Sequence, residues 1–280
     1  MPYLLAVSLI WAFSFGLIKR YLGGVDSTLV AAVRLGLSLL LFLPFLRLGG
    51  LGLRAILGLA GIGAVQFGVM YLAYIESFRY LHAYEAALFT ITTPLFVTLL
   101  ADALDRTLRP WALAAALLAV AGTALVAVKS TDVRMTLTGL ALVQVSNAAF
   151  AAGQVFYRRF RLRHPDLRDL PVFGLLYAGA FVVAAAALAG REVSLALRTP
   201  QVLTLLYLGL VASGAGFFLW NTGATRVSAG TLAVLNNAKV PLGVACSLLV
   251  FGEQAHLPSL VASLAVLATA VWLAERQPSR

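Results

Sequence analysis

The sequence predicts an all-α membrane protein with ten transmembrane helices, arranged as two inverted five-helix repeats. Three observations support this prediction: the composition, the number of apolar runs, and an internal duplication. Of the 280 residues, 61% are hydrophobic and only 11% are charged, whereas soluble domains have about 25% charged residues. A soluble protein could not cover so much apolar surface in water. The composition therefore places the chain in a lipid bilayer.

Ten apolar runs are each about long enough to cross a bilayer, which requires roughly 20 apolar residues in a helix. The breaks between them are short and leave no room for a soluble domain. We expect no cleavable signal, because the apolar sequence begins at Tyr3 and belongs to the first span. The predicted spans are residues 3–20, 28–46, 56–78, 84–101, 111–128, 136–157, 171–189, 202–222, 228–250 and 258–274.

The basic residues indicate the orientation of these spans. The net charge is +10, but the lysines and arginines lie at the ends of apolar runs, so they are typical of topology signals and not of nucleic-acid binding. With the N-terminus in the cytoplasm, twelve basic residues face inwards and seven outwards. Five of the twelve lie within residues 158–168. We therefore expect both termini in the cytoplasm and the chain in the inner membrane of a bacterium or an archaeon.

The internal duplication divides the chain into halves of residues 1–130 and 131–280. Arg79–Ala127 align without gaps on Arg226–Ala274, and this alignment pairs Pro94 with Pro241. Because five is an odd number of helices, the second half must enter the membrane from the opposite face. Inverted repeats of this kind are common in secondary transporters, which bind their substrate near the bilayer midplane.

Several segments resemble the EamA-type transporters of the drug/metabolite transporter superfamily. Trp11–Lys19 is similar to the first-helix signature of that family, and Arg34 matches its second-helix arginine. Tyr71–Pro94 resembles the third and fourth helices, and Phe251–Glu253 matches the glycine–glutamate pair at the end of a repeat. The first half departs from this pattern at Leu104–Arg106. In order and spacing, the resemblance covers essentially the whole chain.

The resemblance implies a carrier that exports small amphipathic metabolites, such as amino acids or related carboxylates, by alternating access. Carriers of lipid-linked sugars, nucleotide sugars or free sugars are the alternatives within the family. The sequence contains no P-loop, so we expect no direct use of ATP. Proton coupling and simple facilitation both stay open, as does the oligomeric state. We expect a small-molecule substrate, contact with membrane lipid, and no cofactor.

Two alternatives come from other classes: a structural or channel subunit, which a continuous pore lining would favour and which stays open, and an intramembrane enzyme. Such an enzyme would need a nucleophile with a base, or a cluster of metal ligands. The chain has no His-Glu-x-x-His motif and no serine with a neighbouring histidine, and its three histidines are far apart. We therefore expect no catalytic residues and no metal site.

Lys239 is the strongest candidate for a substrate-binding residue. It lies near the middle of the ninth span, two residues before Pro241 and close to Asn236 and Asn237. Ionisable groups within a membrane are costly and are functional candidates by default. An ammonium with two amides beside a proline kink could bind a carboxylate, and an interhelical hydrogen bond or a pair with a glutamate is the structural alternative.

The other candidate binding residues come from three arguments. The resemblance places six residues on cavity-lining helices, although aromatic residues also pack or form interfacial belts. They are Trp11, Ser14, Tyr71, Tyr74, Trp220 and Asn221. Gln144 and Asn147 share one face of the sixth helix, and Thr90 corresponds to the region of Lys239 in the other half, although threonines also bond to their own helix.

Two further groups concern motion of the helices. Glu76 and Glu85 flank the connection between the third and fourth helices. Simple solvation competes there with a role in gating, with proton coupling and with pairing to Arg79. Pro94 and Pro241 are expected to kink corresponding helices. Arg34 is expected to be structural, bonding to backbone carbonyls.

Overall fold

The computed structural model describes residues 2–106, 133–226, 229–254 and 256–275, together with positions 114, 117, 118 and 121. All regular structure within these residues is helical, which confirms the predicted all-α class. The predicted fifth span falls outside the described residues except for the four isolated positions. The side chains of Asn236 and Asn237 also lie outside them.

The helical segments follow the predicted spans closely. In chain order they are α1 Pro2–Leu22; α2 Ser27–Phe42 with a 3-10 turn Leu43–Phe45; α3 Leu53–Gly63, a first π segment Ala64–Val69, and α4 Met70–Ser77; α5 Ala83–Phe89, a 3-10 turn Thr90–Thr92, and α6 Thr93–Asp105; α7 Val133–Arg163; α8 Leu170–Leu188; α9 Thr199–Leu206, a second π segment Tyr207–Ala215, and α10 Gly216–Ala224; α11 Ala229–Leu249; and α12 Leu257–Glu275.

Six helical stretches of the described residues are long and apolar enough to cross a membrane. They coincide with the predicted second, third, fourth, sixth, seventh and eighth spans. Two shorter apolar stretches, Lys239–Leu249 of α11 and Leu257–Val266 of α12, correspond to the predicted ninth and tenth spans. The chain is therefore a multi-pass helical membrane protein. The six stretches are Ser27–Phe45, Leu53–Ser77, Ala83–Asp105, Thr136–Arg163, Leu170–Leu188 and Thr199–Ala224.

Close approach at glycines sets the packing of α3 against α8. A Cβ atom added at Gly63 would lie 1.9 Å from the carbonyl oxygen of Leu176, and one at Gly179 would lie 1.9 Å from that of Ala60. Small residues allow helix backbones to approach closely in a bilayer, where association depends on van der Waals contact. Neither glycine can be replaced without moving a backbone.

The amino end of α5 is held by a residue from the far end of the chain. The Glu253 carboxylate accepts hydrogen bonds from the backbone N–H groups of Ala83, at 2.9 Å, and Tyr84, at 3.0 Å. The Glu85 carboxylate accepts another from the N–H of His82, at 2.9 Å. The first N–H groups of a helix have no partner within it, so both carboxylates complete α5.

The π segments leave backbone carbonyls that require partners from other helices. The Ser38 hydroxyl donates to the carbonyl oxygen of Gly209, at 2.8 Å, and the Tyr177 hydroxyl donates to that of Ser213, at 2.6 Å. Both acceptors belong to the second π segment. Single π turns within helices are frequent at functional sites, and both segments lie next to the cavity described below.

Candidate functional site

A cavity of about 70 Å³ lies among the helices, bordered by residues of α1, α2, α4, α7, α10 and α11 and of the fourth span. A buried water needs roughly 10–15 Å³, so the space is large enough to admit several waters. Two basic side chains and no acidic one line the cavity among the described residues. Seven of the residues predicted from the sequence line it: Trp11, Ser14, Tyr71, Tyr74, Thr90, Asn147 and Lys239.

Lys239 faces an aromatic wall within this cavity. Its Nζ atom lies 5.2 Å from the centroid of the Trp11 ring and 5.7 Å from that of the Phe150 ring. Ammonium groups within about 6 Å of an aromatic face are stabilised by the ring quadrupole. The buried ammonium thus lies beside a polarisable surface at the edge of a cavity.

Trp11 is held in one orientation by a hydrogen bond and by ring contacts. Its Nε1–H donates to the carbonyl oxygen of Ala212 in the second π segment, at 2.9 Å. The Trp11 ring lies 4.8 Å from Phe217 and 5.0 Å from Trp220, measured between centroids. The indole therefore forms a fixed wall of the cavity. Trp220 packs behind it and does not line the cavity itself.

Arg34 is the second basic residue of the cavity, and its surroundings differ from the expectation. Its side chain is buried, with 2% exposure. Nη2 donates to the Tyr71 hydroxyl at 2.8 Å, and Nε and Nη2 donate to the Ser213 hydroxyl at 3.2 and 3.1 Å. The guanidinium carbon also lies 4.3 Å from the centroid of the Tyr71 ring. Sequence reasoning therefore missed a cavity residue, because the hydroxyls that orient Arg34 come from distant parts of the chain.

Gln144 and Asn147 form hydrogen bonds with the fourth span at its 3-10 turn. The Thr92 hydroxyl donates to Gln144 Oε1 at 2.6 Å, and Asn147 Nδ2 donates to the Phe89 carbonyl at 2.9 Å. Asn147 also lines the cavity, whereas Gln144 does not. The Thr90 hydroxyl donates to its own helix while Thr90 lines the cavity, so both readings of this residue apply.

The two prolines occupy different local structures. Pro94 is the second residue of α6, directly after the 3-10 turn that interrupts the fourth span. Pro241 lies inside the continuous helix α11. The backbone therefore changes helix type at Pro94 and continues as an α-helix through Pro241.

A neutral polar pair lies one helical turn from the cavity. Gln66 Nε2 donates to Asn221 Oδ1 at 3.1 Å, and both side chains are fully buried or nearly so. We call these two residues the amide pair. Gln66 Oε1 and Asn221 Nδ2 have no hydrogen-bond partner among the described residues. Gln66 precedes the cavity residue Met70 by four positions, and Asn221 follows Phe217 by four.

The residues predicted for gating do not line the cavity. Arg79 Nη1 forms an ion pair with Glu76 Oε1 at 3.0 Å, and the Ser27 hydroxyl donates to Glu76 Oε2 at 2.5 Å. Glu85 completes the amino end of α5 as described above. Lys19 Nζ donates to two backbone carbonyls, those of Phe78 at 2.8 Å and Leu81 at 2.7 Å, in the same connection. These charged groups therefore hold the connection between α4 and α5.

Comparisons with known proteins agree with this architecture. The model of the EamA-like transporter family matches residues 1–128 and 137–274. A biotin transporter of Salmonella typhimurium (strain LT2) is 41% identical over 280 residues, covering 98% of this chain and 92% of that protein. A probable biotin transporter of Pseudomonas aeruginosa (strain PAO1) is 43% identical over 277 residues, covering 98% and 96%.

A biotin transporter of Escherichia coli (strain K12) is 40% identical over 280 residues, again covering 98% of this chain and 92% of that protein. A solved crystal structure with 20% sequence identity superposes with a TM-score of 0.68 and covers 97% of this chain and 95% of that chain, so the two share a fold. The chain belongs to the EamA-like transporter family, and it is a membrane transporter and not an enzyme.

Proposed function

We propose that this protein is an alternating-access carrier of biotin or of a chemically similar amphipathic monocarboxylate. The observation that supports the proposal most directly is the lining of the cavity. Lys239 and Arg34 supply positive charge, aromatic rings supply an apolar wall, and no acidic residue lines the cavity among the described residues. Relatives at 40–43% identity are named biotin transporters.

The chemistry of biotin fits this lining. Biotin joins a carboxylate to an apolar alkyl chain and a fused ureido ring, so it combines one negative charge with a large apolar surface. Binding sites for small molecules are typically apolar, with a few polar groups that fix the orientation. An amino acid would add an ammonium group, for which the described lining offers no carboxylate. The sequence predicted amino acids or related carboxylates as substrates, and the lining of the cavity favours a carboxylate without an ammonium group.

The ten-helix architecture with inverted repeats over residues 1–130 and 131–280 is part of this proposal. The family model matches the chain twice, and the third and eighth predicted spans each contain a π segment. Helix contacts also recur when the halves are exchanged. The first span packs on the ninth (α1 on α11), and the corresponding sixth span packs on the fourth (α7 on α6). Likewise, the third span packs on the seventh (α3 on α8), and the corresponding eighth span packs on the second (the second π segment on α2). These pairings support a two-fold axis in the membrane plane.

The proposed orientation has both termini in the cytoplasm, and it can be tested by labelling. In a Cys246→Ala background, Arg163→Cys and Arg134→Cys would lie on opposite sides of the membrane. A membrane-impermeant thiol reagent added to intact cells should label position 134 and leave position 163 unlabelled until the cells are opened. The reverse pattern would contradict the orientation.

Transport by purified protein in liposomes tests the substrate. We expect labelled biotin to equilibrate across the membrane, and excess unlabelled biotin to compete with it while excess neutral amino acid does not. Export was expected from the family resemblance, but an alternating-access carrier is reversible, so flux should be measured with the gradient in each direction. A pH gradient applied across the same liposomes separates proton coupling from facilitation. Protein-free liposomes are the control, and equal flux in both preparations would reject the proposal.

A further inference from the structure

Arg34 lines the cavity, and one edge of its guanidinium has no hydrogen-bond partner among the described residues. Its Nη1 atom is buried and has no hydrogen-bond partner among the described residues. The ion pairs within those residues involve other side chains and not Arg34. Arg34 thus places a permanently charged group with two unused N–H donors at a cavity, whereas buried charges are ordinarily paired and hydrogen-bonded.

The other edge of the guanidinium is fully engaged. Nε and Nη2 donate to the hydroxyls of Tyr71 and Ser213, and these two hydroxyls lie 2.7 Å apart, within hydrogen-bonding distance of each other. Because three donors on adjacent nitrogens are bound, the planar guanidinium cannot rotate freely. Nη1 is consequently the one nitrogen of the guanidinium that has no hydrogen-bond partner among the described residues.

Neither hydroxyl compensates the positive charge. A hydroxyl accepts a hydrogen bond but carries no formal charge, so the guanidinium retains its attraction for an anion. Hydrogen bonds to charged groups are stronger than those between neutral groups, and a buried charged donor without a partner is costly. An anion that enters the cavity removes this cost, whereas a neutral analogue of the same shape does not.

We propose that Nη1 of Arg34 binds the carboxylate of the transported substrate, with Tyr71 and Ser213 as positioning residues. This inference rests on the proposed function, because it takes the substrate to be a monocarboxylate. Arg34 provides the directional hydrogen bond to the carboxylate. Lys239, on the aromatic wall, provides the second positive charge of the same cavity.

The test compares biotin with its primary carboxamide, which has nearly the same shape and no charge. Affinities of both compounds are measured with purified protein in detergent, and their ratio reports recognition of the carboxylate. We expect Arg34→Gln to lower the preference for biotin by at least about tenfold while the affinity for the carboxamide changes little. Arg54→Gln, which removes an exposed arginine at the start of α3, should leave both affinities unchanged.

Two further variants separate anchoring from positioning. Tyr71→Phe keeps the arginine but removes one of its hydroxyl partners, so the preference for biotin should fall only about threefold. Arg34→Lys keeps the charge but cannot reproduce the planar fork, so its preference should lie between that of the wild type and that of Arg34→Gln.

Several outcomes would overturn the inference. One is a folded Arg34→Gln protein with an unchanged ratio, and another is wild-type protein that binds biotin and the carboxamide equally well. Should Arg34→Gln fail to fold, unchanged ratios in both Arg34→Lys and Tyr71→Phe would overturn it instead. Wild-type protein that binds neither compound would reject the proposed function itself, and the inference with it.

Discussion

The cavity and the amide pair are adjacent polar regions, one helical turn apart, that differ in charge. The cavity contains the cations Lys239 and Arg34, whereas the amide pair of Gln66 and Asn221 is neutral. Both regions hold buried polar atoms without partners among the described residues. Electrostatic attraction for an anion therefore comes from the cavity, and the amide pair can contribute only hydrogen bonds.

A charged group and a neutral polar pair differ in the free energy that it costs to place them in a membrane. A charge within the bilayer is expensive and is kept where it meets a ligand or a partner. A pair of neutral amides costs less, and interhelical hydrogen bonds in membranes contribute only about 0.6–2 kcal/mol. We therefore expect substitutions in the cavity to change transport more than stability, and substitutions in the amide pair to do the opposite.

The largest effect is expected at Lys239. Lys239→Met removes one of the two cavity cations and should reduce the initial rate of biotin transport in liposomes by about 100-fold or more, because the carboxylate loses a buried charged partner. Lys239→Arg should also impair transport, since a planar fork does not replace a compact ammonium. Arg54→Gln is the matched control and should transport normally. Normal transport by a folded Lys239→Met protein would show that Lys239 does not bind the substrate.

An intermediate effect, on stability, is expected at the amide pair. Gln66→Leu or Asn221→Leu alone leaves the partner amide unpaired and should lower the free energy of unfolding by about 1–3 kcal/mol. The double variant removes both groups and should recover part of that loss, with a measurable coupling energy. Denaturation in detergent would show this, and purely additive losses would contradict the pairing.

The smallest effect is expected at the pair of Glu76 and Arg79. The Arg79 side chain is 65% exposed, and ion pairs of this kind contribute at most about 1 kcal/mol. Glu76→Gln should therefore leave biotin transport and its dependence on a pH gradient unchanged. Loss of that pH dependence in Glu76→Gln would instead assign this carboxylate to proton coupling.

The spans and several cavity residues were predictable because they depend on local sequence. The length of an apolar run identifies a span, and a lysine within such a run is conspicuous. Asn147 was found for a similar reason, since its spacing from Gln144 marks one polar helix face. Both the amide side chains of Gln144 and Asn147 and their spacing can be read from the sequence of a single helix.

The position of Arg34 in the cavity lining could not be read from local sequence. Its orienting partners lie 37 and 179 residues away, at Tyr71 and Ser213. The partner of Gln66 lies 155 residues away, at Asn221. The second π segment, which contains Ser213, has no simple sequence signal either. Only the packing of distant helices brings these groups together.

The contact between Glu253 and the amino end of α5 has a consequence for the order in which the protein can be assembled. The N–H group of Ala83 donates to a carboxylate that lies 170 residues later in the chain. At about 5–20 residues per second, the ribosome reaches that residue roughly 10–30 seconds after α5 is made. The amino end of α5 therefore lacks two hydrogen bonds until Glu253 has been synthesised, and a chain truncated before Glu253 cannot form them.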